Sequence, residues 1–376
     1  MKQRILLSAD TGIDDCMALA YLLAQSDVQV SAIIATYGNV HASKSAYNNA
    51  AILNACKAQI PIALGCTGPS WAREFTVDSG CATFHGSNGL GNVNMPYDSN
   101  SLEHVDFTVL PADIQSKFQE YSYAPYSIGG YEPNDEREHY TLEEHRGDFV
   151  ASQCGIGVQW IIDNVRNYGK ELTVLVTGPL TDVDAAMRLA PDIVENIRIV
   201  MMGGTLTQEG NCYDLVCETN IIQDPEAAKR VFESGAEITM VGLDVTHQCL
   251  LTAHDTQAWR DTQSVLGTSL ANMCDFYLHA NYVSDEIFTQ GAPLHDPLAA
   301  AVTCHQELVQ CVDMNVTVET RSGDGYGVRG RTIGDRTRLL AQKKNTHVAL
   351  GVQSHVAHDE IVKSITNFVS QLRGTC

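Results

Sequence analysis

The sequence predicts an α/β fold, a mostly parallel, Rossmann-like sheet flanked by helices, with its active site at the C-terminal edge of the strands. Three observations lead there. Short apolar, β-branched runs recur along the chain, helical stretches separate them, and polar residues cluster just after the runs. The first run is Ile5-Leu6-Leu7. After Asp10-Thr11-Gly12-Ile13-Asp14-Asp15 comes the apolar stretch from Cys16 to Ala24, which reads as a buried helix. Val28 to Ala35 is a second strand closed by Gly38-Asn39, and Ser43 to Ala58 follows with helical periodicity. Leu172 to Val176, Asn196 to Gly204 and Ile238 to Asp244 repeat the form, the first of them ended by Thr177-Gly178-Pro179. Near-continuous apolar strands of this kind are covered on both faces. No internal repeat interrupts the pattern, so residues 1–376 read as a single domain. One stretch stands apart: the segment at about 97–147 is rich in Tyr, Ser, Asp and Glu, shows little periodicity, and reads as a polar insertion at the ligand edge.

Composition narrows the function classes. Hydrophobic residues at 44% and charged residues at 18% describe an ordinary globular protein. A formal net charge of −21 argues against nucleic acid or an anionic membrane as partner. No apolar stretch approaches the roughly 20 residues of a membrane helix. The apolar run after Met1-Lys2-Gln3-Arg4 is too short for a signal peptide. The 12 cysteines are scattered and none forms a Cys-x-x-Cys pair, the closest being Cys212 and Cys217. Buried thiols in a reducing, cytoplasmic setting are therefore expected.

The acidic cluster carries the chemistry. Asp10, Asp14 and Asp15 sit where a strand hands over to a helix. A helix N-terminus favours each negative group by only roughly 0.3–1 kcal/mol. Three crowded carboxylates still repel one another unless something positive joins them, and a hard divalent cation with oxygen ligands is the economical answer. If all the strands are parallel, Asn39, Thr177, Asn211, Glu218 and Asn220 share that edge. His295-Asp296-Pro297, opening another helical stretch, can bring a fourth acid. His85-Gly86 and Gly89-Leu90-Gly91 form a turn whose glycines are by themselves only a weak phosphate-loop signal. A phosphatase of the haloacid dehalogenase type also opens on a strand and an Asp. That chemistry wants a second Asp two residues on, where this chain has Gly12.

Taken together, these motifs resemble the calcium-dependent nucleoside hydrolases of the inosine–uridine-preferring type. The hallmark Asp-x-Asp-Pro-Gly-x-Asp-Asp is met by Ser8-Ala9-Asp10-Thr11-Gly12-Ile13-Asp14-Asp15. Tyr37-Gly38-Asn39, Thr177-Gly178-Pro179-Leu180-Thr181, Met202-Gly203-Gly204, Glu218-Thr219-Asn220-Ile221, Asp244 with Thr246-His247-Gln248, and His295-Asp296-Pro297 match in order and approximate spacing. The resemblance implies Ca²⁺ bound by Asp10, Asp15, Asp296 and the carbonyl of Thr177. It implies Asp10 as general base, His295 as acid for the leaving base, and Asp14, Asn39, His85, Asn211, Glu218 and Asn220 around a ribonucleoside. It also implies a homo-oligomer, dimer or tetramer. A non-catalytic nucleoside- or calcium-binding relative is the alternative, motivated by Ser8 and Thr11 in place of the family Asp and Pro. Positions where the family carries pyrimidine-handling tyrosines hold His279 and Val283, with Tyr277 and Tyr282 close by.

Overall fold

The computed structural model describes residues 2–72, 74–95, 99–111, 154–212, 215–284, 290–321, 328–334 and 344–372. β1 (Gln3–Ala9), α1 (Ile13–Ala24), β2 (Val28–Ala35), α2 (Ala42–Cys56) and β3 (Ile62–Leu64) open the chain, followed by α3 (Ser79–His85) and β4 (Val105–Asp106). Next come α4 (Gly157–Tyr168), β5 (Leu172–Val176), α5 (Thr181–Leu189) and β6 (Arg198–Met202), then the short α6 (Thr219–Gln223) and α7 (Pro225–Glu233). β7 (Glu237–Val241), α8 (Leu243–Thr246), β8 (Leu250–Leu251), α9 (Ala253–Asp261) and α10 (Val265–Ser284) lead to β9 (Ala292–Pro293) and α11 (His295–Cys304). β10 (Val309–Met314), β11 (Val316–Val318), β12 (Thr332–Gly334), β13 (Thr346–Val352) and α12 (Ser354–Gln371) complete it.

The sheet has nine strands in the order β10-β13-β7-β6-β5-β1-β2-β3-β4. Every neighbouring pair is parallel except β10 with β13. Two apolar cores cover its faces. One packs α1, α10, α11 and α12 against Leu7, Ala9 and Leu175, and the other packs α4, α5 and α7 against Leu6, Val174 and Val176. Strand residues alternate between those cores, which is why these strands read as continuous apolar runs. Complete burial of Ile13, Met17, Leu19 and Leu22 fixes α1, at roughly 1.5–3 kcal/mol for each large side chain.

Register decides where the site forms. Ala9 lies opposite Ala35, Ser8 opposite Val176, and Met202 opposite Val241. The residues that follow, Asp10, Thr36, Thr177, Gly203 and Gly242, therefore leave the sheet along one edge. Within the expected insertion, Ser99–His104 forms a 3₁₀ turn and Val105–Asp106 joins the sheet as β4. Residues 112–153, most of that segment, lie outside the described residues. The described cysteines are free and mostly buried. No described helix is long and apolar enough to cross a membrane.

Candidate active site

β1 delivers Asp10 to the sheet edge, and α1 starts three residues later with Gly12 at its N-cap and Asp14 and Asp15 in its first turn. All three acids are buried. Asp10 Oδ2 accepts the Asn39 N–H at 2.6 Å. Its Oδ1 is buried and has no hydrogen-bond partner among the described residues. Glycine is required on both sides: a Cβ on Gly38 would lie 2.0 Å from Asp10 Oδ2, and one on Gly178 would lie 3.0 Å from its Cγ. Asp15 accepts the Gly12 N–H at 2.7 Å and the Thr177 hydroxyl at 2.6 Å. Asp14 Oδ1 has no hydrogen bond and lies 3.8 Å from His85 Nδ1.

Asp296 reaches the same place from the first turn of α11, also buried. Oxygens of Asp14, Asp15 and Asp296 lie within 4.8 Å of one another, a group that could hold a metal ion. The resemblance implied Asp10, Asp15 and Asp296, and this group holds Asp14 where Asp10 was expected. Burial, reinforced by neighbouring acids, pushes the carboxyl of Asp15 up to about 8 and those of Asp10 and Asp296 well above the usual carboxylate range. Among the described residues no lysine or arginine pairs with any of the four. Neutral donors satisfy geometry there without supplying positive charge.

The remaining residues ring the cluster. Asn220 Nδ2 donates to the Thr177 carbonyl at 2.9 Å and to the Met202 carbonyl at 3.1 Å, tying the ends of β5 and β6. Glu218 caps α6, taking the N–H groups of Gly204, Asn220 and Ile221, and burial raises its carboxyl to about 7. Asn211 is exposed, and its Oδ1 accepts from the Thr219 N–H and hydroxyl. His85 is buried, accepts the Ile13 N–H at 3.2 Å, and stacks on Tyr277 with ring centroids 5.8 Å apart. Burial lowers its pKa, with Asp14 opposing. His295 Nδ1 shares a 2.8 Å hydrogen bond with Thr246 Oγ1, and its ring lies 5.7 Å from that of His247. Burial and the two neighbouring histidines hold its pKa well below the usual value. Of the two tyrosines near those positions, Tyr277 is buried at the site and Tyr282 is exposed, as is Val283.

The sequence profile of the inosine-uridine preferring nucleoside hydrolases matches residues 5–359. The chain belongs to that family. It is a nucleoside hydrolase, an enzyme acting on the N-glycosidic bond of ribonucleosides. Pyrimidine-specific ribonucleoside hydrolase RihA of Salmonella paratyphi B is 30% identical over 351 residues, covering 93% of both chains. The purine-preferring ribonucleoside hydrolase of Gardnerella vaginalis is 34% identical, with a TM-score of 0.79 over 98% of this chain and 99% of that one. An inosine-uridine preferring nucleoside hydrolase from Bacillus anthracis shares the fold at 21% identity, with a TM-score of 0.66 over 99% and 100% of the two chains.

Asp244 belonged to a motif of the sequence reading but was given no role there. Its carboxylate collects the N–H groups of Leu206, Thr207 and Gln208 and the Thr207 hydroxyl, so it fixes the loop that runs on to Asn211. Only its position in the motif after β7 hinted at a role.

Proposed function

We propose that the enzyme releases free base and ribose from ribonucleosides with the help of Ca²⁺ held by Asp10, Asp15, Asp296 and the Thr177 carbonyl. The observation that carries this reading is the buried acid cluster, in which, among the described residues, no lysine or arginine pairs with the acids and one oxygen each of Asp10 and Asp14 has no hydrogen bond. A donor set made only of hard oxygens suits calcium. When bound, such an ion neutralises the cluster and acidifies a water molecule that it carries.

Asp10 takes the proton of the attacking water. One of its oxygens is anchored on Asn39 N–H while the other is bare, so the base is oriented yet available. Asp14, Asn39, Asn211, Glu218 and Asn220 surround the ribose hydroxyls. Asp14 Oδ1, buried with no hydrogen bond among the described residues, is left unpaired by a sugar that lacks the hydroxyl, which favours ribose over deoxyribose. His85, stacked on Tyr277, covers the site beside Asp14. His295 faces the leaving base as a neutral imidazole. With Nδ1 accepting from Thr246, its Nε2–H is free to stabilise negative charge developing on the base.

The test is a panel of purine and pyrimidine ribonucleosides and their 2′-deoxy counterparts, assayed for free base with calcium and with chelator. Release from ribonucleosides that chelator abolishes and calcium restores supports the reading. No release from any ribonucleoside with calcium present would overturn it, and undiminished turnover in chelator would remove the metal from it.

A further inference from the structure

Asp182, the second residue of α5, is completely buried behind the acidic cluster. Its Oδ1 accepts the Cys66 N–H at 2.6 Å and its Oδ2 accepts the Ser8 hydroxyl at 2.9 Å. The Thr36 hydroxyl donates to the Cys66 carbonyl at 3.5 Å beside them. Ser8 lies near the end of β1, Thr36 directly follows β2, and Cys66 follows β3 by two residues. The helix carrying Asp182 itself follows β5. The carboxylate thus sits where four consecutive neighbours in the sheet end, β5, β1, β2 and β3, and bonds directly to the ends of β1 and β3. Gly65 makes room for it, since a Cβ there would sit 2.5 and 2.7 Å from the two carboxylate oxygens.

A buried carboxylate held only by neutral donors is expensive to keep. Its position shows what it holds. The Ser8 carbonyl accepts the Thr177 N–H at 2.9 Å and the Thr177 hydroxyl at 3.3 Å, and that same hydroxyl donates to Asp15 at 2.6 Å. Two residues beyond Ser8 is Asp10. Asp182 therefore braces the backbone from which Asp10 and the Thr177 carbonyl project. Ser8 is also where the family hallmark has an aspartate.

We propose that Asp182 is a positioning residue of this active site, fixing the end of β1 and supplying from α5 the buried carboxylate that the hallmark places at position 8. The inference rests on reading the acidic cluster as the catalytic centre. It makes the two positions exchangeable as a pair. In Ser8→Asp with Asp182→Asn, the new amide oxygen keeps the Cys66 N–H while its NH₂ donates to the carboxylate at position 8. Ser8→Asp alone sets two carboxylates against each other. Asp182→Asn alone leaves the pocket without its charge.

Three variants decide it: Asp182→Asn, Ser8→Asp and the double exchange. They are compared with the parent by amide hydrogen exchange of residues 5–12 in chelator, by calorimetric titration with calcium alone, and by kcat on a ribonucleoside at saturating calcium. Each single change should speed exchange in that segment and weaken calcium binding by about tenfold or more, with kcat falling alongside. The double exchange should return all three to near the parent values. A merely structural role would lower the melting temperature while leaving calcium affinity and kcat of the folded protein untouched, and that result would overturn the proposal. So would a double exchange no better than the worse single. If Ser8→Asp fails to fold, Asp182→Asn and the double variant still give the comparison. If the parent itself neither binds calcium nor releases base, the hydrolytic reading of the metal fails, and the exchange rates still decide whether Asp182 braces β1.

Discussion

Asp10→Asn should make the metal-free protein more stable and nearly inactive. The substitution preserves size, and the amide oxygen can keep the 2.6 Å bond from the Asn39 N–H. The NH₂ group then occupies the place of Oδ1, which has no partner to lose. What disappears is a fully buried carboxyl whose ionisation is opposed by burial and by Asp15 and Asp14. The scale comes from the neighbouring Asp15, whose carboxyl is pushed from 3.8 to about 8. At about 1.4 kcal/mol per tenfold, keeping that one group ionised costs at most roughly 6 kcal/mol. An uncharged residue at position 10 should recover a part of such a cost, on the order of 1–3 kcal/mol, which is a rise of a few degrees in melting temperature. Turnover should fall by about 10²–10⁴, the usual contribution of a general base. The assays are thermal melting at pH 8 in chelator and release of free base at saturating calcium. A variant that is less stable than the parent in chelator would refute the charge argument. One that keeps more than a tenth of the parent turnover would refute the role of Asp10 as base.

Three further outcomes follow from the same geometry. Asp15 and Glu218 are raised to about 8 and about 7, so the folded protein binds more protons than the unfolded chain at mildly acidic pH. Stability in chelator should therefore be highest near pH 5 and decline as pH rises through 7 and 8; a melting temperature that climbs across this window contradicts it. Gly38→Ala places a Cβ 2.0 Å from Asp10 Oδ2, at a backbone φ of +154°. It should cut kcat as severely as Asp10→Asn with circular dichroism unchanged, and near-normal turnover would show that Asp10 is free to move. Asp244→Ala releases the N–H groups of Leu206, Thr207 and Gln208. It should cost about 1–3 kcal/mol and raise KM more than it lowers kcat, because the freed loop leads to Asn211. An unchanged KM would separate that loop from ribose binding.

Much of this fold was legible because its strands are buried on both faces. Val28–Ala35 and Leu172–Val176 have the bounds read from sequence, since each is a largely apolar, β-branched run ended by polar or glycine-rich residues. Arg198–Met202 proved shorter than the stretch from Asn196 to Gly204, because the chain turns away at two glycines with positive φ, Gly203 and Gly204. The antiparallel edge pair β10–β13 was not legible. Its outer strand exposes Gln310, Cys311, Val312 and Asp313, which blurs the apolar signal. The acidic residues announced themselves by crowding in sequence, and Asp296 by its place at a helix start. Asp182 and Asp244 did not, because their partners lie 174, 116 and about 37 residues away and only the folded sheet brings them together. Asn211 stood in a plain motif, and the fold adds that its side-chain oxygen accepts from the Thr219 N–H and hydroxyl.

The way the acids are held argues that a cation completes the site. Backbone N–H groups of Gly12 and Asn39 and the Thr177 hydroxyl give Asp15 and Asp10 fixed orientations. Such donors stabilise a carboxylate in place but cannot cancel several charges within a few ångströms in a dry interior. Without an ion, the cluster must take up protons, as the raised Asp10, Asp15 and Asp296 carboxyls show. On the proposed reading, calcium and protons compete for the same oxygens, and binding releases protons. Calcium at a hundred times its dissociation constant should add about 2.7 kcal/mol to stability, and the apparent affinity should tighten from pH 6 to pH 8. Titration calorimetry in buffers of different ionisation enthalpy measures both the affinity and the protons released. Binding that is independent of pH, with no proton release, would mean that the ion sits on acids already ionised, and the raised pKa values would then be wrong.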